Sequence, residues 1–230
     1  DLESVVLIIE EDKWEQKEKA NFEGGNIVMT GKKEYKPKPN FTTGSTNWKT
    51  KREFVYFTSA SVVMKKEHAF QYGKVEVRAK IDAQTGLWPA IWTLGTSGEW
   101  PSNGEVDIME YYDNKILANY AIGSAAPHHA IWNSKSKTMN SLGGEAWASQ
   151  FHVWTLEWDE NKMIIKVDDV FLNCINLNTT FNKSNGENPF RQPQYLLLNL
   201  TLGVNRGGIL KNTILPSQYL IDYVRAQQNK

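Results

Sequence analysis

The stretch Gly104-Glu105-Val106-Asp107-Ile108-Met109-Glu110-Tyr111-Tyr112 sets three carboxylates in a run of otherwise apolar and aromatic, β-prone residues. Side chains alternate along a strand, so Glu105 and Asp107 share a face while Glu110, five positions beyond Glu105, belongs to the other. One extra residue bulged out between Asp107 and Glu110 restores the parity and makes Glu110 equivalent to an i+4 position. A strand rises ~3.3 Å per residue, too far for two carboxyls to converge on one bond, so a shared site also demands strong concave curvature. A bulge supplies part of that bend. If the three acids act together, the stretch predicts a bulged, curved strand with a cleft on its concave side.

Outward from this strand, short alternating segments recur between turn residues. Lys74 to Ile81 places Val75, Val77, Ala79 and Ile81 on one face and Lys74, Glu76, Arg78 and Lys80 on the other. Met163 to Val167 and Val170 to Ile175 flank Asp168-Asp169 as a hairpin. Further strands are expected at Ala60 to Met64, Ala90 to Leu94, Glu105 to Tyr111, Phe151 to Trp158, Tyr195 to Val204 and Tyr219 to Ala226. No stretch of ten or more residues keeps a convincing 3.6-residue period. The expected fold is therefore all-β, an antiparallel sandwich of two sheets in one domain over residues 1–230. The Lys32 to Arg52 region, rich in lysine with Pro37, Pro39 and Gly44, reads as a solvated loop.

Composition narrows the function. Lys plus Arg and Asp plus Glu balance at 26 each, so no global field attracts nucleic acid or an anionic membrane. No apolar run approaches ~18 residues, so no membrane span is expected. The single cysteine, Cys174, excludes an internal disulfide and paired-cysteine zinc sites, and its apolar surroundings predict a buried, inert thiol. No signal peptide is visible, which leaves localisation open.

Nine tryptophans are many for 230 residues. Trp88 and Trp92 are four apart and share a strand face, and Trp100-Pro101 leads directly into the acids. Flat aromatic faces beside carboxylates suit sugar rings, whose C–H faces are apolar while their hydroxyls need polar partners. Cleavage of a glycosidic bond needs two carboxyls flanking it. At ~5 Å one attacks the anomeric carbon while the other protonates the leaving oxygen; at ~6.5–9.5 Å a water fits between them and the configuration inverts. Glu105 and Glu110 are the natural pair.

These residues resemble glycoside hydrolase family 16. Glu105-Val-Asp-Ile-Met-Glu110 is similar to the bulged Glu-x-Asp-x-x-Glu signature of its laminarinase-type endo-β-glucanases, agarases, porphyranases and carrageenases. Phe70 to Lys80, Gly86-Leu-Trp-Pro-Ala-Ile-Trp92, Phe151-His-Val-Trp154, Asn188 to Asn199 and Ile221-Asp-Tyr-Val-Arg225 resemble further family segments in the family's order. The resemblance implies a β-jelly-roll with an open concave cleft and a retaining double displacement. Glu105 would be the nucleophile, Glu110 the general acid/base and Asp107 the helper between them. Trp88, Trp92 and Trp100 would line subsites for sugars on the non-reducing side, and Asn119 would bind substrate. No cofactor is implied for catalysis. Gly25 and Asp222 match family positions for a structural calcium, two ligands of the six or so a hard cation needs.

Several positions depart from the pattern. Ser61 stands where laminarinase-like members usually carry arginine, and Tyr120 and Ile122 replace an alanine and a tryptophan, which bears on substrate range. His128-His129 reads as a loop pair without a third metal ligand, and His152 as a satisfied structural histidine. The expectation is an endo-acting retaining hydrolase of β-1,3- or mixed-linkage β-1,3/1,4-glucan, monomeric, from a bacterium, and secreted, periplasmic or on the cell surface. Its partner is a polysaccharide, not nucleic acid. Lys49, Lys51 and Arg52 keep an endo-hydrolase of a sulfated galactan as the alternative. A non-catalytic glycan-binding module is the second, and an enzyme transferring to a sugar acceptor the third.

Overall fold

The computed structural model describes residues 4–7, 13–18, 20–23, 26–47, 50–203 and 212–228. The first strands are β1 (Ser4–Leu7), β2 (Trp14–Glu18), β3 (Ala20–Glu23), β4 (Asn26–Pro37), β5 (Phe54–Thr58), β6 (Ala60–Met64), β7 (Gly73–Lys80) and β8 (Leu87–Gly95). They are followed by β9 (Glu105–Tyr112), β10 (Lys115–Gly123), β11 (Ala130–Thr138), β12 (His152–Trp158), β13 (Lys162–Val167), β14 (Val170–Asn176), β15 (Gln194–Leu202) and β16 (Ser217–Gln228). Two short helices, α1 (Met139–Leu142) and α2 (Gly144–Ala148), lie between β11 and β12. One sheet runs β14-β13-β12-β7-β16-β4-β3, with β1 on β16 and β5 on β4; the other runs β11-β10-β9-β8-β15-β6-β2. All described pairings are antiparallel, as the short alternating segments predict.

Alternation explains the core between the sheets. In β7, Val75, Val77 and Ala79 are buried, and their partners across the gap include Ile91, Val106, Ile108, Leu196 and Leu198. The tryptophans divide by role. Trp14, Trp154 and Trp158 are core residues, whereas Trp88, Trp92 and Trp100 line a groove on the outer face of the second sheet. The β13–β14 turn has both Asp168 and Asp169 at positive φ, 47° and 63°, the two left-handed residues that a tight two-residue hairpin requires. Asp168 also accepts from Val153 N at 2.8 Å and meets His152 Nδ1 at 2.5 Å, while His152 Nε2 meets the Trp147 carbonyl at 2.7 Å. His152 is thus the satisfied structural histidine expected.

Two expectations are corrected. Cys174 is exposed. Ile165 pairs with Asn173 and Lys166 with Phe171, so Leu172 is an extra residue in β14. The bulge turns both Leu172 and Asn173 inward and throws Cys174 out. The Lys32 to Arg52 region is only partly loop, because β4 continues through Pro37 and pairs with β5 as a hairpin. Its exposed lysines give no alternation to read, and Tyr35 and Phe54 stack across it at 4.5 Å.

Gly73, where β7 begins, has φ 100°, and a Cβ there would stand 1.9 Å from the Gln227 carbonyl oxygen of β16. Gly73→Ala is therefore expected to destabilise the fold by on the order of 2–4 kcal/mol, combining strain with backbone displacement. Urea unfolding compared with wild type checks this.

Candidate active site

The bulge lies where the parity demands it. Against β8, Glu110 pairs with Ala90 and Met109 with Ile91, but Asp107 pairs with Trp92 and Glu105 with Leu94, leaving Ile108 without a partner. Against β10, Glu110 pairs with Leu117 and Asp107 with Asn119, so two residues of β9 oppose Ala118 alone. Ile108 and Met109 are both fully buried. The extra residue sends two consecutive apolar side chains inward and returns Glu110 to the face of Glu105 and Asp107. All three acids line one groove of about 540 Å³, together with Trp88, Trp92 and Trp100.

Indoles and an amide hold the carboxylates. Trp88 Nε1 donates to Glu110 Oε1 at 2.9 Å, and Trp100 Nε1 donates to Glu105 Oε2 at 2.5 Å. Asn119 Nδ2 donates to both Asp107 Oδ2 and Glu110 Oε2, at 2.9 Å each. Trp88 is braced edge-on by Tyr112, with ring centroids 5.6 Å apart. Trp92 Nε1 donates to Asn199 Oδ1 at 2.7 Å, and Asn199 Nδ2 in turn to Thr201 Oγ1 at 3.1 Å. The groove is thus walled by aromatic faces whose polar edges are already engaged, which leaves those faces for an apolar ligand surface.

Asp107, 2% exposed, has its carboxyl pushed well above the usual carboxylate range. Burial is the main cause, followed by the charges of Glu110 and Glu105; the bond from Asn119 opposes the shift and the bond with Glu105 adds to it. A neutral Asp107 donates a hydrogen bond to Glu105 instead of repelling it. The folded chain keeps this proton where the unfolded chain, near the ordinary value of 3.8, has lost it. Asp107 therefore costs stability as pH rises above that value. Asp107→Asn, neutral at every pH, is expected to raise the melting temperature at pH 7, by about 2–4 °C per 1 kcal/mol relieved, and to leave it unchanged below pH 3. Thermal scans at the two pH values check this.

Asn119 differs from its expected place. It is 3% exposed and its donors serve two carboxylates, so it positions acids where a sugar contact was expected. Sequence reasoning missed Asn199 and Thr201; their alternation on β15, opposite Ala90 and Trp88 in the register, is the signal that places them in the groove. Ser61 lines the groove, and its short hydroxyl leaves open the space an arginine would fill. Tyr120 points away from the groove, buried against Phe190 with ring centroids 6.1 Å apart. Ile122, on the same face of β10, packs against the core. These two replacements belong to the core, where substrate range is not set.

Of the residues nominated for calcium, Gly25 lies outside the described residues, and Asp222 forms an ion pair with Arg78 Nη1. One carboxylate oxygen of the nominated pair thus faces a guanidinium. His128 and His129 sit exposed in the β10–β11 turn. Among the described residues no three His, Cys, Asp or Glu side chains cluster as a metal site, and no helix is long and apolar enough to cross a membrane.

A protein-family model for glycosyl hydrolases family 16 matches residues 11–225. A β-glucanase of Rhodothermus marinus is 31% identical over 179 residues, covering 74% of this chain and 62% of that protein. A keratan-sulfate endo-1,4-beta-galactosidase of Sphingobacterium multivorum is 33% identical over 165 residues, covering 67% of this chain and 36% of that protein. A solved structure from a study of endo-acting O-glycanases, which prominent members of the human gut microbiota express to initiate mucin breakdown, superposes with a TM-score of 0.81. Its identity is 31%, and the match covers 93% of this chain and 77% of that one. The chain spans less than two thirds of the length of both curated relatives.

Proposed function

The chain belongs to glycosyl hydrolase family 16, and from that premise we propose that it is an endo-acting, retaining β-glucanase for β-1,3- or mixed-linkage β-1,3/1,4-glucan. The observation that carries the reading is the β9 bulge, which sets Glu105 and Glu110 on one face of an aromatic-walled groove with Asp107 between them. A binding module needs the aromatic walls but has no use for this arrangement of acids.

The chemistry runs in two steps. A carboxylate oxygen of Glu105 attacks the anomeric carbon as Glu110 gives its proton to the departing glycosidic oxygen, leaving a glycosyl ester on Glu105. Glu110, now ionised, takes a proton from water as that water attacks the anomeric carbon and releases Glu105. Two inversions give net retention. The Trp100 bond orients Glu105, and the Trp88 and Asn119 bonds orient Glu110. Neutral Asp107 beside Glu105 stabilises the ionised nucleophile without setting a second negative charge against it. Polymeric glucan is too large to cross the inner membrane, so the enzyme acts beyond it, secreted, at the cell surface or in the periplasm.

A second reading has a specific observation behind it. Ser61 leaves open space beside Asn199 in the groove, and a relative acts on keratan sulfate while a structural neighbour comes from O-glycanase work. A β-galactosidic bond in a galactose-containing glycan is therefore the alternative substrate. Reducing ends released from β-1,3-glucan, mixed-linkage glucan, keratan sulfate and agar decide between them. Release from the glucans supports the first reading, release confined to the galactose-containing glycans replaces it with the second, and binding without release from any of them rejects both.

A further inference from the structure

The groove occupies only half of its sheet. Its lining residues come from β6, the segment entering β6, β15, β8, β9 and, through Trp100, the β8–β9 connection, whereas β10 and β11 lie on the far side of β9. The groove therefore runs across the strands. An endo-acting enzyme holds sugars on both sides of the bond it cuts, so the β10–β11 half must meet the other part of the chain.

Cross-strand partners in an antiparallel pair share a face, so the register carries the cleft face outward. Leu94 pairs with Glu105, Glu105 with Ala121, and Ala121 with Trp132. Trp132 thus stands in the row of Glu105, two strand spacings away, ~9.6 Å. The residue is 40% exposed, nearly the same as Trp100 at 41%. Among the described residues it is the one aromatic that this parity places on the cleft face of β10 or β11. Its neighbours on that face of β11, Ser134 and Ser136, are small and exposed.

The strand beneath it is fixed. Asn173 of the opposite sheet, 2% exposed, donates Nδ2 to the Ala118 carbonyl at 2.9 Å, to the Asn133 carbonyl at 3.3 Å and to Asn133 Oδ1 at 3.1 Å. This buried amide ties edge strand β11 to β10 at the residue next to Trp132. A large exposed apolar ring on a pinned edge strand beside a cleft marks a binding surface.

We propose that Trp132 is the sugar-stacking platform of the leaving-group half of the cleft, receiving a β-linked pyranose about two residues beyond the bond that is cut. The proposal rests on the glycosidase reading and on Trp88, Trp92 and Trp100 holding the non-reducing side. Stacking there anchors the departing chain during the first step and an incoming sugar acceptor during the second.

Two substrates separate this role from a structural one. One is whichever polysaccharide the wild type cleaves; the other is an oligosaccharide of the same linkage carrying a nitrophenyl leaving group, with no sugar beyond the bond. Trp132→Ala is expected to lower kcat/KM on the polymer roughly tenfold while staying within about twofold on the nitrophenyl glycoside, and Trp132→Phe to recover part of the loss. Unchanged polymer cleavage, or equal loss on both substrates, overturns the platform. A wild type that cleaves neither substrate of any linkage sinks the glycosidase reading and the platform with it. An active wild type with an indifferent Trp132→Ala sinks the platform alone.

Discussion

Glu105→Gln is expected to lower kcat on polysaccharide by roughly 10⁴-fold or more, because an amide oxygen is a poor nucleophile and forms no glycosyl ester. The substitution keeps the shape of the side chain and its bond from Trp100 Nε1, so the groove and substrate affinity should survive. Binding of oligosaccharide to the variant, measured by calorimetry at near wild-type affinity, separates lost chemistry from lost folding. Glu105→Ala adds a sharper outcome. The smaller side chain leaves room for azide to attack the anomeric carbon from the vacated side, and a single displacement there yields the α-glycosyl azide. Recovery of that product from an activated aryl glycoside identifies Glu105 as the nucleophile. Full activity of Glu105→Gln removes it from the mechanism.

Glu110→Ala should fail in a different manner. Without the acid, a polysaccharide whose leaving group is a poorly acidic sugar hydroxyl loses about 10³-fold or more. A dinitrophenyl glycoside leaves without protonation, so its first step survives and the glycosyl ester accumulates, because no base activates water for the second. A burst of nitrophenol followed by slow turnover is the expected record. Azide needs no base, restores turnover, and gives the β-glycosyl azide through two displacements. Equal loss on polysaccharide and dinitrophenyl substrates would show that Glu110 is not the acid/base. The contrast between the variants tests more than either does alone, since the two glutamates face the same groove and differ mainly in their partners, Trp100 for one and Trp88 with Asn119 for the other.

How much of this was legible in the sequence depends on whether chemistry marked the local geometry. Strict alternation put Glu110 on the wrong face, and the demand that three acids meet one bond turned that misfit into a bulge, which lies at Ile108. An equivalent bulge at Leu172 misplaced Cys174, because apolar residues on both sides of the defect gave nothing to violate. Strand β11 escaped notice for a related reason. Its residues are almost all exposed, so it lacks the apolar alternation that reveals a half-buried strand. The lysine-rich end of β4 was hidden in the same way. Trp88 and Trp92 were placed on one face by spacing alone, while the role of Asn119 depended on a cross-strand register that no single strand encodes. Tyr120 and Ile122 looked like changes to the substrate site until the register turned them to the core.

The claim on which the rest stands is that the β9 bulge makes Glu105 the nucleophile of a retaining pair. A 2-deoxy-2-fluoro glycoside with a dinitrophenyl leaving group slows both steps, the second more, and traps the glycosyl ester. Mass spectrometry of the proteolysed adduct is expected to find one added glycosyl group, on the peptide containing Glu105 and at that residue. A label on Glu110, a label elsewhere, or no covalent adduct from an enzyme that still releases the nitrophenol would contradict it.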